Sequence, residues 1–349
     1  MKGIRKIAPY IPGTQPNISG MIKINTNENP YPPSPKVSEI LKNFKADKLK
    51  LYSSLDNQPL KEALAAKHNV LPEQLIIGNG SDEVLAFCFL AFFNSGDPIL
   101  FPDITYGFYK VWADLFSIPF KEIPLNENFE IDFSDYNQIN GGLIITNPNA
   151  PTGLFKTKNE IRELLKNHSD VIVILDEAYI EFAEDSMTSL LDEFPNLIII
   201  HTLSKSQSLA GLRIGYAMGN PEYIAILESV KSSFNPYSVD MLAEALATAA
   251  IQDSEYYQKI TGKICQTRDW FSQKIEESGF RSLPSQTNFV LVSHDKVKMN
   301  ELFQYLEEKN IFVRYFTKPE RLKKFLRISI GTEEEMKRVA AVLANFVSK

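Results

Sequence analysis

Apolar residues along the chain fall into two alternating patterns. Short uninterrupted runs at Leu75-Ile76-Ile77, Ile99-Leu100-Phe101, Leu143-Ile144-Ile145-Thr146, Val171 to Leu175 and Leu197-Ile198-Ile199-Ile200 have the length and composition of buried strands. Between them, Leu60 to His68, Asp82 to Phe93 and Tyr106 to Phe116 repeat their apolar residues at a helical period. Strands alternating with helices predict a mostly parallel sheet covered by helices on both faces. Val239 to Glu277 reads as a long helical region, broken or kinked near Gly262. Beyond it, Phe289 to Val292, Ile311 to Tyr315 and Phe325 to Ile330 read as strands, with helices at Asn300 to Glu308 and from Thr332 onward. This predicts a smaller α/β domain. The start of the chain, up to Pro35, is rich in Pro, Asn and Gly and reads as an extended arm. The expected division is 1–40 as arm and part of the small domain, 41–275 as the large domain, and 276–349 as the small C-terminal domain.

Length supports two domains, because 349 residues exceed what one core usually holds, about 250–300. A net charge of −6 provides no broad basic field, so nucleic acid and anionic membrane surfaces are not expected partners. No run approaches the ~20 apolar residues of a membrane span. Met1-Lys2-Gly3-Ile4-Arg5-Lys6 leads into Pro9-Tyr10-Ile11-Pro12-Gly13 rather than an apolar stretch, so no signal peptide is read and a cytoplasmic location is expected. The two cysteines and four histidines share no short ligand spacing, and no metal site is expected.

Three polar residues each follow an apolar run: Asn147, Asp176 and Lys205, spaced 29 residues apart in both intervals (176 − 147 and 205 − 176). About 30 residues is one strand-helix-strand unit, and open α/β sheets bind ligands beyond the carboxyl ends of their strands. Lys205 is preceded by Ser204 and followed eight residues on by Arg213. A partly desolvated amine near another cation gives up its proton more readily and can form a Schiff base with an aldehyde. Ser204 and Arg213 are residue types that hold phosphate. An aldehyde and a phosphate on one ligand imply pyridoxal 5'-phosphate. For that ligand Asp176 has a defined task, since a carboxylate beside the pyridine nitrogen keeps it protonated. At ~4 Å and an effective dielectric of 20 the pair is worth about 4 kcal/mol, roughly three pKa units. The plain alternative for Asp176 is a helix cap. Tyr179 and Asn147 can each donate to the ring oxygen or be satisfied within the protein.

Gly80-Ser81-Asp82 opens an apolar helix whose free N–H groups suit phosphate, although it is also an ordinary cap. Tyr106 can stack on a flat ring or pack in the core. Arg314 and Arg327 sit among apolar strand residues and need anionic partners, from internal salt bridges or from a substrate carboxylate or phosphate.

With these residues assembled, the chain resembles the fold-type-I pyridoxal-phosphate aminotransferases and, within them, the histidinol-phosphate aminotransferases. The resemblance spans nearly the whole length. It rests on Ala8-Pro9-Tyr10-Ile11-Pro12-Gly13, Asn27-Glu28-Asn29-Pro30-Tyr31, Gly78-Asn79-Gly80-Ser81-Asp82-Glu83, Asn147-Pro148-Asn149-Ala150-Pro151-Thr152-Gly153, Asp176-Glu177-Ala178-Tyr179 and Ser204-Lys205 through Tyr216. Pro284-Ser285-Gln286-Thr287-Asn288-Phe289 and Leu326-Arg327-Ile328-Ser329-Ile330-Gly331 extend it.

The resemblance implies Lys205 as Schiff base and proton shuttle, Asp176 on the pyridine nitrogen, and Asn147 with Tyr179 on the ring oxygen. It implies Ser81, the Asp82 backbone, Ser204 and Arg213 around the phosphate, and Tyr106 stacked on the ring. It further implies a homodimer in which Tyr52 reaches the neighbouring subunit's cofactor phosphate, Tyr10 reaches substrate, and Arg327, assisted by Arg314, binds the glutamate carboxylate and the substrate phosphate. Ser206-Gln207-Ser208 and Ser53-Ser54-Leu55-Asp56 depart from the family pattern, which bears on substrate and on the Tyr52 contact. The expected reaction is ping-pong amino transfer between glutamate and imidazole-acetol phosphate. An aromatic aminotransferase and a phosphothreonine decarboxylase share most of these motifs. A regulator that only senses the cofactor is expected to carry a DNA-binding module, for which no spare segment is read.

Overall fold

In the computed structural model, which describes residues 3–11 and 13–348, the alternating pattern becomes a seven-stranded sheet. Its spatial order is Leu75–Asn79, Ile214–Gly219, Leu197–Thr202, Val173–Asp176, Leu143–Thr146, Ile99–Pro102 and Phe120–Ile123. The last five run parallel, while Ile214–Gly219 is antiparallel to both of its neighbours. Leucine and isoleucine on the two faces of these strands feed two separate cores, one with Leu143, Ile145, Leu175 and Ile199, the other with Ile144, Ile174 and Ile198. Burial on both faces explains why the strands read as unbroken apolar runs. Fold type I, with a mostly parallel sheet, is the observed architecture.

A four-stranded antiparallel sheet, ordered Arg314–Tyr315, Leu326–Ser329, Phe289–His294 and Phe280–Ser282, forms the second body. The run at Ile311 to Tyr315 is not one strand. Ile311–Phe312 pairs in parallel with Ile22–Lys23 of the arm, while Arg314–Tyr315 joins the antiparallel sheet. Ile22 and Ile24 thereby enter the core of the C-terminal residues. Further along, helix Pro35–Asn43 turns back and packs on helix Met241–Ile251 of the large body.

The break expected near Gly262 lies elsewhere. Helices Met241–Ile251 and Ser254–Glu276 are separated at Gln252 and Asp253, and Gly262 lies within the second helix, facing open space. A helical glycine lowers stability by roughly 1 kcal/mol relative to alanine but does not by itself end a helix. Strands Phe120–Ile123 and Ile214–Gly219 and helix Pro221–Phe234 escaped the pattern reading. Phe120–Ile123 has only one buried residue of its four, as an edge strand can. Among the described residues no helix is long and apolar enough to cross a membrane.

Candidate active site

Thr146 pairs with Asp176, and Asp176 with Ile200, so three parallel strands end on one edge of the sheet. A cavity of about 180 Å³ opens there, bordered by Thr146, Asp176, Tyr179, Ser204, Lys205 and Arg213 and roofed by Tyr106 and the first residues of helix Ser81–Phe92.

Lys205 enters it from the turn after Leu197–Thr202. Its Nζ donates to the Thr26 carbonyl at 3.4 Å and lies 5.8 Å from the centre of the Tyr179 ring. Among the described residues it has no carboxylate within 4.0 Å. An amine so placed lacks the ion-pair partner that lysines on the surface commonly find. Glu28 also borders the cavity but is bonded to Lys23 and Thr26. Burial would raise its carboxyl, but those hydrogen bonds and the charges of Lys23 and Lys205 hold it below the ordinary value.

Asp176 is 3% exposed. Its Oδ2 accepts the Tyr109 hydroxyl at 2.7 Å and its Oδ1 the Ala178 N–H at 3.1 Å. Burial pushes this carboxyl up to about 6, against the pull of both hydrogen bonds. A buried carboxylate with no cation of its own is costly, and it is complementary to a cationic ring nitrogen.

Part of the cavity lining has the groups that could cradle an anion. Helix Ser81–Phe92 begins after Gly80 without any side-chain cap, which leaves its first N–H groups open. Gly80 has φ +85, and a Cβ there would lie 2.5 Å from the Arg213 guanidinium. A Cβ on Gly215 would fall 2.1 Å from the Ser81 nitrogen. Only glycine at both positions lets strand, arginine and helix start approach so closely. Arg213 donates to Asp82 at 3.1 Å, and Tyr106 donates to the other oxygen of Asp82 at 2.7 Å. Burial, then the Asp82 charge, keep the Tyr106 phenol protonated by raising it far above its usual range. Ser204 completes the cradle, its hydroxyl accepting from Thr202 at 3.0 Å.

A wider opening of about 690 Å³ adjoins the cavity and shares Lys205, Tyr179, Tyr106 and Ala150 with it. Its outer wall carries Tyr10, Arg314 and Arg327. The two arginines are directly paired across antiparallel strands, and among the described residues neither has a carboxylate within 4.0 Å. Arg327 donates to the Asn25 carbonyl at 2.9 Å, lies over Phe289 and Phe316, and leaves its Nε without a partner. Burial lowers its pKa. Arg314 donates to the Ile11 carbonyl at 3.2 Å and lies over Phe316. Two adjacent like charges, both half-buried, form an arrangement that could hold an anion.

The profile of the family described as aminotransferase class I and II matches residues 19–343. The chain belongs to this family. Histidinol-phosphate aminotransferases are similar to it over nearly its whole length. The one from Acinetobacter baumannii strain SDF is 48% identical over 343 residues, 97% of this chain and 95% of that protein. That of Lactococcus lactis subsp. cremoris is 46% identical over 344 residues, 99% and 96% respectively. The crystal structure of histidinol-phosphate aminotransferase from Sinorhizobium meliloti in complex with pyridoxal-5'-phosphate superposes with a TM-score of 0.84 at 26% identity, covering 94% of this chain and 91% of that one.

Of the site residues expected from sequence, the aminotransferase chain brings Asp176, Tyr179, Ser81, Asp82, Tyr106, Ser204, Lys205 and Arg213 to one cavity, and Tyr10, Arg314 and Arg327 to the adjoining opening. Asn147 does not join them. Its amide donates to the Lys156 carbonyl at 2.9 Å and accepts the Lys156 N–H at 2.7 Å, which commits both ends to bracing the loop. The wall position is taken by Ala150, which has only a methyl to present. Gly80 shapes the cradle without bordering the cavity. Tyr52 is 82% exposed, stacked on Tyr237 with ring centres 4.5 Å apart, and borders neither opening of its own chain. Pro12, within the N-terminal motif, lies outside the described residues. Sequence reading missed Tyr109, whose signal was a tyrosine on an apolar helix, a position that demands a buried hydrogen-bond partner. It also missed Asn27 as a site residue.

Proposed function

We infer that the chain is a pyridoxal-5'-phosphate-dependent aminotransferase that exchanges an amino group between glutamate and imidazole-acetol phosphate, yielding 2-oxoglutarate and histidinol phosphate. When bound, the cofactor supplies an aldehyde that carries the amino group and a ring that accepts electrons from the bond broken at the substrate carbon. The observation that carries this reading is one cavity lined both by Lys205, an amine with no carboxylate within 4.0 Å among the described residues, and by the buried carboxylate of Asp176, together with Ser81, Ser204 and Arg213, residue types that suit a phosphate.

In this reading Lys205 holds the cofactor covalently and moves a proton at its Nζ. Asp176, oriented by Tyr109 and the Ala178 N–H, holds the charge of the ring nitrogen. Ser81, Ser204, Arg213 and the open N–H groups of the Ser81–Phe92 helix hold the phosphate, with Gly80 and Gly215 giving them room. Tyr106 covers the ring, and Tyr179 donates to its ring oxygen. Arg327 and Arg314 orient the glutamate carboxylate and the phosphate of the second substrate, with Tyr10 beside them. A pair of adjacent arginines in one opening favours two anionic substrates over an aromatic aminotransferase, which has little use for Arg314.

The exposed stretch Leu49, Leu51, Tyr52 and Leu55 lies beside Tyr237, another exposed ring. A homodimer that covers this face and carries Tyr52 into the neighbour's cradle accounts for so much apolar exposure. The two separate sheets support a division into an arm with part of the small domain (1–40), a large domain (41–275) and a small domain (276–349), although helices Pro35–Asn43 and Ser254–Glu276 cross its bounds, and a cytoplasmic location fits the chemistry. Borohydride reduction and peptide mapping test the reading: label on Lys205 supports it, and label on another lysine or none overturns it. Mixing the amine form of the enzyme with imidazole-acetol phosphate and with phenylpyruvate then tests the substrate, since faster return to the aldehyde form with phenylpyruvate assigns the aromatic reaction instead.

A further inference from the structure

The segment Asn25–Asn29 touches Lys205, Tyr179 and Arg327, three of the groups given a role above, yet no role has been given to it. Arg327 donates to the Asn25 carbonyl, Lys205 donates to the Thr26 carbonyl, and Asn29 donates to the carbonyls of Lys205 and Ser206 at 3.0 and 3.1 Å. At its centre Asn27 is 1% exposed with φ +56, a left-handed conformation that asparagine accepts more readily than most residues.

The direction of the Asn27 amide follows from its partners. Its backbone N–H donates to Ser329 Oγ at 2.9 Å, so the Ser329 hydroxyl is free to donate its own proton to Asn27 Oδ1 at 2.8 Å. The Nδ2 end must then face Tyr179, and it donates to the phenol oxygen at 2.9 Å. Because that oxygen accepts from Asn27, the Tyr179 proton has to go elsewhere. Among the described residues no acceptor for it is found, and Tyr179 borders both openings. Asn147 is turned away and Ala150 offers only a methyl, so on this wall Tyr179 is the donor that remains.

We propose that Asn27 is a positioning residue that aims the Tyr179 hydroxyl proton into the cavity, at the cofactor's ring oxygen. It does so from Ser329, two residues along the strand that carries Arg327, so the anion site and the cofactor's donor share one support. The inference rests on the cofactor reading above and deepens it.

The pH midpoint of the absorbance of the Lys205-bound cofactor, measured in the intact enzyme, reads this directly. A donor to the ring oxygen weakens its hold on the proton shared with the lysine nitrogen, so loss of the donor moves the midpoint up. Tyr179→Phe should raise it by about one pH unit, the scale of one hydrogen bond to an ionised oxygen. Asn27→Asp tolerates the positive φ but accepts where asparagine donates, drawing the phenol proton out of the cavity, and should raise the midpoint by a similar amount. The uncharged Asn27→Gly, for which positive φ carries no strain, should raise it by about half as much and add nothing in a Tyr179→Phe background. An unmoved midpoint in Asn27→Gly, or a full additional shift in the double variant, overturns the proposal. Borohydride labelling of Lys205 in the unmodified enzyme separates the two levels: if the label is present and the midpoint unmoved, Asn27 alone loses its role. If the label is absent, the cofactor reading fails first.

Discussion

The cofactor cavity and the opening beside it are built in opposite ways. The cavity gathers residues from the ends of adjacent parallel strands, in an order that follows the chain: Thr146, then Asp176, then Ser204 and Lys205. The opening joins Tyr10 and Asn25 near the start of the chain to Arg314 and Arg327 near its end, through the parallel pairing of Ile22–Lys23 with Ile311–Phe312. The first lies mainly at the strand ends of one sheet, with Thr26 and Glu28 of the arm also in its lining. The second brings the arm and the small sheet together over Asp103 to Phe108 of the large body, with two arginines in its lining. The cavity thus draws chiefly on residues that follow one another along one sheet, while the opening depends on contacts that span the whole sequence.

Variants on the two sides should therefore fail differently. Lys205→Ala removes the reacting amine and should abolish turnover while the protein stays folded, as circular dichroism and activity measured together will show. Retained transamination at near-normal rate would break the assignment. Asp176→Asn forfeits an ion pair worth about 4 kcal/mol, so kcat should fall by about 10³-fold. The cofactor's absorbance should change even without substrate. Arg327→Ala should leave that absorbance intact and raise KM for both glutamate and the phosphorylated substrate by about 10²-fold, the scale of losing a buried charge-assisted contact. A loss confined to one substrate would divide the anion site in two.

Asp176 also carries a pH signature in the cofactor-free protein. Its carboxyl rises from 3.8 to about 6 on folding, so the folded state binds the proton more tightly than the unfolded one. Stability from this group is present below pH 4 and is lost as pH rises toward 6, a difference of about 3 kcal/mol. Cofactor-free Asp176→Asn should accordingly melt higher than the unmodified protein above pH 6 and show no advantage below pH 4. Equal melting temperatures at both pH values would mean that Asp176 is not destabilising when unpaired.

The same contrast explains what was legible in the sequence. Leu143 to Thr146 was read with its true limits, and the strands ending near Asp176 and Lys205 were found because burial on both faces makes apolar runs. The 29-residue spacing located the cavity for the same reason. It could not say where a side chain points. Asn147 sits at the right strand end, yet its amide turns back to Lys156, and that depends on loop geometry invisible to spacing. Asn27 carried no chemical signal of its own, since its importance comes from Ser329, 302 residues away. Ile214–Gly219 contains two glycines and follows a short turn, so it lacked the pattern of its neighbours although it is fully buried.

The helix Ser254–Glu276 links the two bodies in one continuous rod. Tyr257 and Ile260 anchor it in the core of the large sheet, and Ile264, Phe271 and Ile275 in that of the small one. Gly262 falls between these two footings, with no atom near its missing side chain. A single methyl placed there, Gly262→Ala, should therefore stabilise the helix that joins the two bodies by about 1 kcal/mol without touching either footing.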